Sequence, residues 1–172
     1  MMLSPLQNTA SPYFGNFVQV RPRITQEFGG NKETYDQFGL DGHDGIDFGT
    51  NGDDSIFAPF SGYVKLKNSG DKGYGLHIKI RDSKKECVLG HLARVFITDG
   101  QFVHLGDKIA VMGDSGFSSA KHLHFGLRYL VPGDGDRFSL AVTDYNNGFF
   151  GYVDPLEFMV TWKGGFKETT FK

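Results

Sequence analysis

From Leu76 to Arg81 the chain reads Leu-His-Ile-Lys-Ile-Arg, apolar and polar residues in strict alternation. A period of two marks a strand with one face in a core and the other turned outward; a helix, with its period of 3.6, cannot sort residues that way. The pattern recurs in His122-Leu123-His124-Phe125-Gly126-Leu127-Arg128-Tyr129 and, more briefly, in Gly62–Lys67, Glu86–His91 and Lys108–Met112. Glycine, 24 of 172 residues, falls between these runs at Gly70/Gly73, Asp99-Gly100, Gly106-Asp107 and Gly113–Gly116, where turns are needed. Helical periodicity is nowhere sustained, although Leu92–Phe96 and Pro155–Val160 have room for a turn or two. The expected fold is mostly β, a glycine-rich antiparallel sheet with few short helices.

The length suits one domain. Residues 1–22, with Pro5, Pro12 and Pro22, read as an irregular N-terminal arm, free to dock on a partner. Residues 23–172 read as a single domain with an inserted loop region at about 131–153. The aromatic residues Phe138, Tyr145, Phe149, Phe150 and Tyr152 of that region either line a groove or pack an extra hairpin. A net charge of −2 offers no basic footprint for nucleic acid. No apolar run is long enough to insert in a membrane, and Met1–Asn8 shows no signal peptide. The single cysteine, Cys87, excludes an intrachain disulfide and reads as a small buried residue.

Chemistry therefore falls to histidines and carboxylates. His43 and Asp47 lie four apart at the entry to the apolar run Ile46–Phe48, so in extended chain they share a face. His122 and His124 share a strand face with Gly126 and Arg128, while Leu123, Phe125, Leu127 and Tyr129 face a core. His91 ends the run from Glu86. Two imidazoles and one carboxylate bind a zinc ion and leave a fourth position for water, the pattern of a catalytic site. Spacing alone leaves open which histidine of His-x-His is a ligand and which an acid–base group. His77, on the polar face of its strand, and His104, before a turn, read as structural or solvated. Arg128 reads as a solvated strand-end residue or a carboxylate binder, and Asp44, by alternation, points away from the His43/Asp47 pair.

The ordered segments Thr25–Gly29, His43-Asp44-Gly45-Ile46-Asp47-Phe48, Ala58–Val64, Gly73-Tyr74-Gly75, Gly90-His91-Leu92, Gly106–Ile109, Gly113–Gly116 and His122-Leu123-His124-Phe125 resemble the lysostaphin-type, LytM-like zinc metallo-endopeptidases. The likeness runs from Ile24 to about Tyr129. It implies an antiparallel sheet crossed by a substrate groove, and a zinc endopeptidase domain over residues 23–172. It further implies one Zn²⁺ held by His43, Asp47 and His124, with His91 and His122 flanking the metal-bound water as general base and transition-state stabiliser. The implied reaction is hydrolysis of peptide bonds in the cross-links or stem peptides of bacterial cell-wall peptidoglycan. Such an enzyme acts at the cell wall or periplasm; with no export signal visible, delivery by phage lysis or with a particle, or a trimmed secreted form, would bring it there. Leu89, Lys121 and Gly126 depart from the family's usual pattern without removing a ligand. Two alternatives are a catalytically silent peptidoglycan-binding or regulatory module on the same scaffold and a non-haem Fe(II) oxygenase.

Overall fold

A computed structural model describes residues 23–50, 52–133 and 139–157. Twelve strands occur there: β1 Arg23–Gln26, β2 Ile46–Gly49, β3 Ser55–Phe57, β4 Gly62–Asn68, β5 Leu76–Arg81, β6 Lys85–Gly90, β7 Leu92–Val95, β8 Phe102–Val103, β9 Lys108–Met112, β10 His122–Pro132, β11 Leu140–Val142 and β12 Tyr152–Val153. One short helix, α1 (Lys32–Tyr35), runs into a 3₁₀ turn at Asp36–Phe38, and a second 3₁₀ turn covers Pro155–Glu157. The mostly β, antiparallel reading holds. No helix among the described residues is long and apolar enough to cross a membrane. The arm at 1–22, like Phe138, lies outside the described residues.

The strands form two sheets. The larger runs β1-β2-β10-β6-β5-β4-β8, with β11 and β12 also paired to β10; the smaller runs β3-β9-β7. Alternation decides which side chains enter the core. Ile46 and Phe48 of β2, Ile78 and Ile80 of β5, Cys87 and Leu89 of β6, and Leu123, Phe125 and Leu127 of β10 pack with Ile56, Leu92, Ile109 and Met112 from the smaller sheet. Removing that apolar surface from water is the dominant force holding the sheets together. The other face of β2 and β10 is thereby left for polar residues.

Leu92–Val95 is a strand rather than a helical turn, because it pairs with β9 from Leu92↔Met112 to Val95↔Ala110. Cross-strand partners distant in sequence outweigh local preference here. Between residues 131 and 153, β11 pairs with β10 through Leu130↔Val142 and β12 through Leu127↔Val153, while Phe149 packs on Phe28 with ring centroids 4.5 Å apart. The segment thus both extends the sheet and, through Phe150, lines a cleft.

Candidate metal centre

Strand pairing brings the expected donors together. β10 lies between β2 and β6, and its register sets His124 opposite Asp47 on one side and Gly90 on the other. Directly opposed residues of an antiparallel pair have Cβ atoms about 5 Å apart, so these side chains converge on the outer face. His43 enters from the loop before β2. His43 Nε2, Asp47 Oδ1 and His124 Nδ1 form a nearly equilateral triangle with sides of 3.1, 3.2 and 2.9 Å. All three residues are buried.

The remaining ring nitrogen of His43 fixes its tautomer. His43 Nδ1–H donates to the Glu27 carbonyl at 3.1 Å, which turns a bare Nε2 to the triangle. Nδ1 of His124 lies 3.2 Å from Asp47 Oδ1, while its Nε2 faces Asp44 Oδ1 at 3.5 Å. Two imidazole nitrogens and a carboxylate oxygen gathered this closely make up a donor set that a divalent cation would suit. Donors to a tetrahedral zinc at about 2.0–2.1 Å stand roughly 3.3 Å apart, so the triangle fits such an ion. The electrostatics agree. Burial opposes ionisation of Asp47, but the His124 and His43 imidazoles beside it hold the carboxyl well below its usual range. Burial would depress His124 too, yet Asp47 and Asp44 together raise it.

His91 and His122 stand beside the triangle, their rings 4.5 Å apart. Each is anchored through Nδ1–H to a backbone carbonyl, His91 to Ser115 at 2.7 Å and His122 to Ala120 at 2.8 Å. Each therefore keeps a bare Nε2, and that of His122 is 3.4 Å from Asp47 Oδ2. Burial, together with neighbouring His122 and His124, lowers the His91 pKa to about 4, against the lift from its Ser115 hydrogen bond. Simple alternation from Cys87 and Leu89 would bury His91 in the core. Instead its backbone is left-handed, at φ 59°, which swings the ring to the outer face. Such a conformation is strained for a residue with a Cβ. It is held by the His91 N–H donating to the Tyr74 carbonyl at 2.8 Å and by the ring's bond to Ser115.

Two glycine sites make this packing feasible. A Cβ on Gly45 would lie 2.5 Å from the Phe125 carbonyl oxygen and 2.7 Å from the His124 ring, so only glycine lets the His43–Asp47 turn pass under that imidazole. Gly75 (φ 59°) and Gly116 (φ 79°) cross so closely that either Cβ would overlap the other's backbone. Their crossing ties the loop that carries Ser115 to the Tyr74 turn that supports His91.

Several neighbours differ from the sequence reading. Asp44 does not point away: it precedes β2, where alternation has not begun, and its buried carboxylate faces His124 while accepting a hydrogen bond from the Tyr74 hydroxyl. Arg128 is half-buried and paired rather than a free strand-end residue. It makes a two-pronged pair with Glu86, at 3.0 and 2.6 Å, and lies over the Tyr152 ring. His77 is buried, with Nδ1–H on the Gly75 carbonyl, and His104 is exposed, as a structural and a solvated residue should be. Cys87 is fully buried. A cleft of about 260 Å³ opens beside His91 and His124, lined by Tyr35, Phe38, Leu40, Tyr74, Phe117 and Phe150. Tyr35, Phe38 and Phe117 carry no periodic or motif signal in the sequence; they reach the cleft only through tertiary folding.

A model of peptidase family M23 matches residues 41–138, the span that holds every donor described above. The chain belongs to peptidase family M23. An uncharacterized metalloprotease of Haemophilus influenzae is 28% identical over 109 residues, which make up 63% of this chain but 23% of that protein, so the chain spans about a quarter of this relative's length. Among solved structures, the catalytic domain of the prophage-encoded M23 protein EnpA from Enterococcus faecalis, in a mutant form, is 26% identical, with a TM-score of 0.55 over 77% of this chain and 87% of that one. The catalytic domain of the antimicrobial peptidase lysostaphin from Staphylococcus simulans shares the fold, with a TM-score of 0.59 at 23% identity, over 80% of this chain and 91% of that one.

Proposed function

We propose that this M23 family member is a zinc-dependent endopeptidase that hydrolyses peptide bonds in the cross-links or stem peptides of bacterial cell-wall peptidoglycan. His43, Asp47 and His124 hold one Zn²⁺, and His91 and His122 handle the proton. The observation that carries this reading is the 2.9–3.2 Å triangle of His43 Nε2, Asp47 Oδ1 and His124 Nδ1 beside two further imidazoles with bare Nε2 atoms. A zinc ion held by these residues would supply polarisation of the scissile carbonyl and a bound water of near-neutral pKa.

The chain's own residues supply the rest. As water adds to the carbonyl carbon, its proton passes to Nε2 of one of the paired histidines and then to the leaving amine as the C–N bond breaks. The other imidazole faces the oxygen on which charge develops. The Nδ1 anchors on Ser115 and Ala120 keep both rings oriented through this exchange. The aromatic cleft gives an extended peptide an apolar bed, and Phe38 meets Phe117 edge to face at 5.4 Å across one end of it. The closeness of His43, Asp47 and His124 to one another, and of His91 to His122, supports a peptidase over a silent binding module, and family membership leaves nothing in favour of an iron oxygenase. Action at the cell wall, with delivery by phage lysis or with a particle, is part of the proposal; the prophage-encoded neighbour supports it.

Purified wall from several bacterial types, digested by the protein and analysed by mass spectrometry of the released fragments, tests the function. New peptide termini, absent when a chelator is added and restored by zinc, are expected. Intact wall peptides after incubation with the zinc-loaded protein would overturn it.

A further inference from the structure

His124 Nε2 is buried with no hydrogen-bond partner among the described residues. A buried N–H without an acceptor is unfavourable by roughly 1–3 kcal/mol, so a wholly buried ring is not left this way without reason. The group that faces it is the Asp44 carboxylate, whose Oδ1 lies 3.5 Å away. Asp44 is itself buried, and its other oxygen accepts from the Tyr74 hydroxyl. Tyr74 also lies against the imidazole, ring centroids 4.9 Å apart and planes 33° from parallel, while the Gly45 backbone closes off the ring's Cε1–Nε2 edge.

We propose that Asp44, clamped by the Tyr74 hydroxyl, is a positioning residue: it accepts the Nε2–H of His124 and thereby commits Nδ1 of that ring, unprotonated and fixed in orientation, to the metal. The inference rests on the zinc reading above. A carboxylate behind a ligating imidazole raises its basicity and selects its tautomer. The loop before β2 then serves the site twice, with His43 as a donor and its neighbour Asp44 as the brace of the opposite donor. Gly126 makes room for the brace: a Cβ there would press on Val88 Cγ1 and Tyr152 at 2.8 and 3.0 Å and on the Asp44 carbonyl at 3.1 Å. The alternative geometry is direct ligation, since single donor atoms of His43, Asp44 and His124 also lie within 4.8 Å of one another.

The test is zinc affinity, measured by chelator competition on Asp44→Ala, Asp44→Asn and Tyr74→Phe, with the absorption spectrum of the cobalt-substituted proteins and the melting temperature of the metal-free ones. A brace predicts zinc held about 10–100-fold more weakly by Asp44→Ala, and a smaller loss for Tyr74→Phe. It also predicts partial rescue by Asn, which keeps an acceptor oxygen, and a cobalt spectrum unchanged in Asp44→Asn because the ligands are the same. If Asp44→Ala fails to fold, Tyr74→Phe carries the test. Wild-type zinc affinity in the folded variants would overturn the proposal, and so would a changed cobalt spectrum in Asp44→Asn, which would make Asp44 a ligand. None of these readouts uses wall hydrolysis, so a protein that binds zinc through this brace but cuts no wall refutes the function and leaves the brace standing.

Discussion

Gly45→Ala places one methyl group where the metal centre has no slack. Its Cβ would sit 2.5 Å from the Phe125 carbonyl oxygen and 2.7 and 2.9 Å from Cε1 and Nε2 of His124. Ordinary contact begins at 3.4 Å, so the fit is short by about 0.9 Å at the oxygen. That oxygen cannot retreat, because Phe125 is paired with Ile46 on one side and Leu89 on the other within the sheet. The strain must be relieved by the His124 ring and by the turn that carries His43 and Asp44. Overpacking of this kind destabilises by about 1–3 kcal/mol, and a displacement near 1 Å at a reacting centre lowers rate on the order of 100-fold. The variant should therefore fold, melt several degrees lower, and lose about two orders of magnitude in wall-hydrolysis rate, with zinc affinity reduced in parallel. Turbidity loss of a wall suspension and thermal melts measure both. Wild-type rate and melting temperature in Gly45→Ala would refute the geometric argument.

His91→Ala and His122→Ala should each lower hydrolysis at least 100-fold while still binding one zinc per chain, as read by elemental analysis; full activity in both variants would remove their assignment. The His91 pKa is pushed down to about 4 from an ordinary 6.5, so the folded state binds fewer protons than the unfolded one between these values. Its stabilising contribution is present above pH 6.5 and is lost as pH falls toward 4. Denaturant melts of the metal-free protein should show stability lost over this window, by at most about 3 kcal/mol, and His91→Gln should lose less. Glu86, buried, accepts from Arg81 at 2.9 and 2.7 Å and from Arg128 at 3.0 and 2.6 Å. Glu86→Gln strands these cations, Arg81 partly in solvent, and should destabilise by about 3 kcal/mol, with little change in zinc affinity.

What was legible in the sequence followed from one rule, alternation along a strand. It sorted β10 into a core face and a site face, because that depends only on neighbours in the chain; His43, by contrast, reaches Asp47 from the loop before β2. It failed where the backbone leaves the strand: Asp44 lies before β2 begins, and His91 is turned over by a positive φ that no spacing betrays. It failed again where the partner is distant. Arg128 is claimed by Glu86, 42 positions earlier, through the β10–β6 register, and Leu92–Val95 becomes a strand only by pairing with β9. The roles of Tyr74 and Phe117 likewise emerge from the crossing of Gly75 and Gly116, a contact between segments some forty residues apart.

X-ray absorption at the zinc edge, with anomalous diffraction from a crystal of the zinc-loaded protein, reads the centre directly. One ion is expected within bonding distance of His43 Nε2, Asp47 Oδ1 and His124 Nδ1. An ion bound elsewhere, or missing any of these three atoms from its shell, would contradict the account.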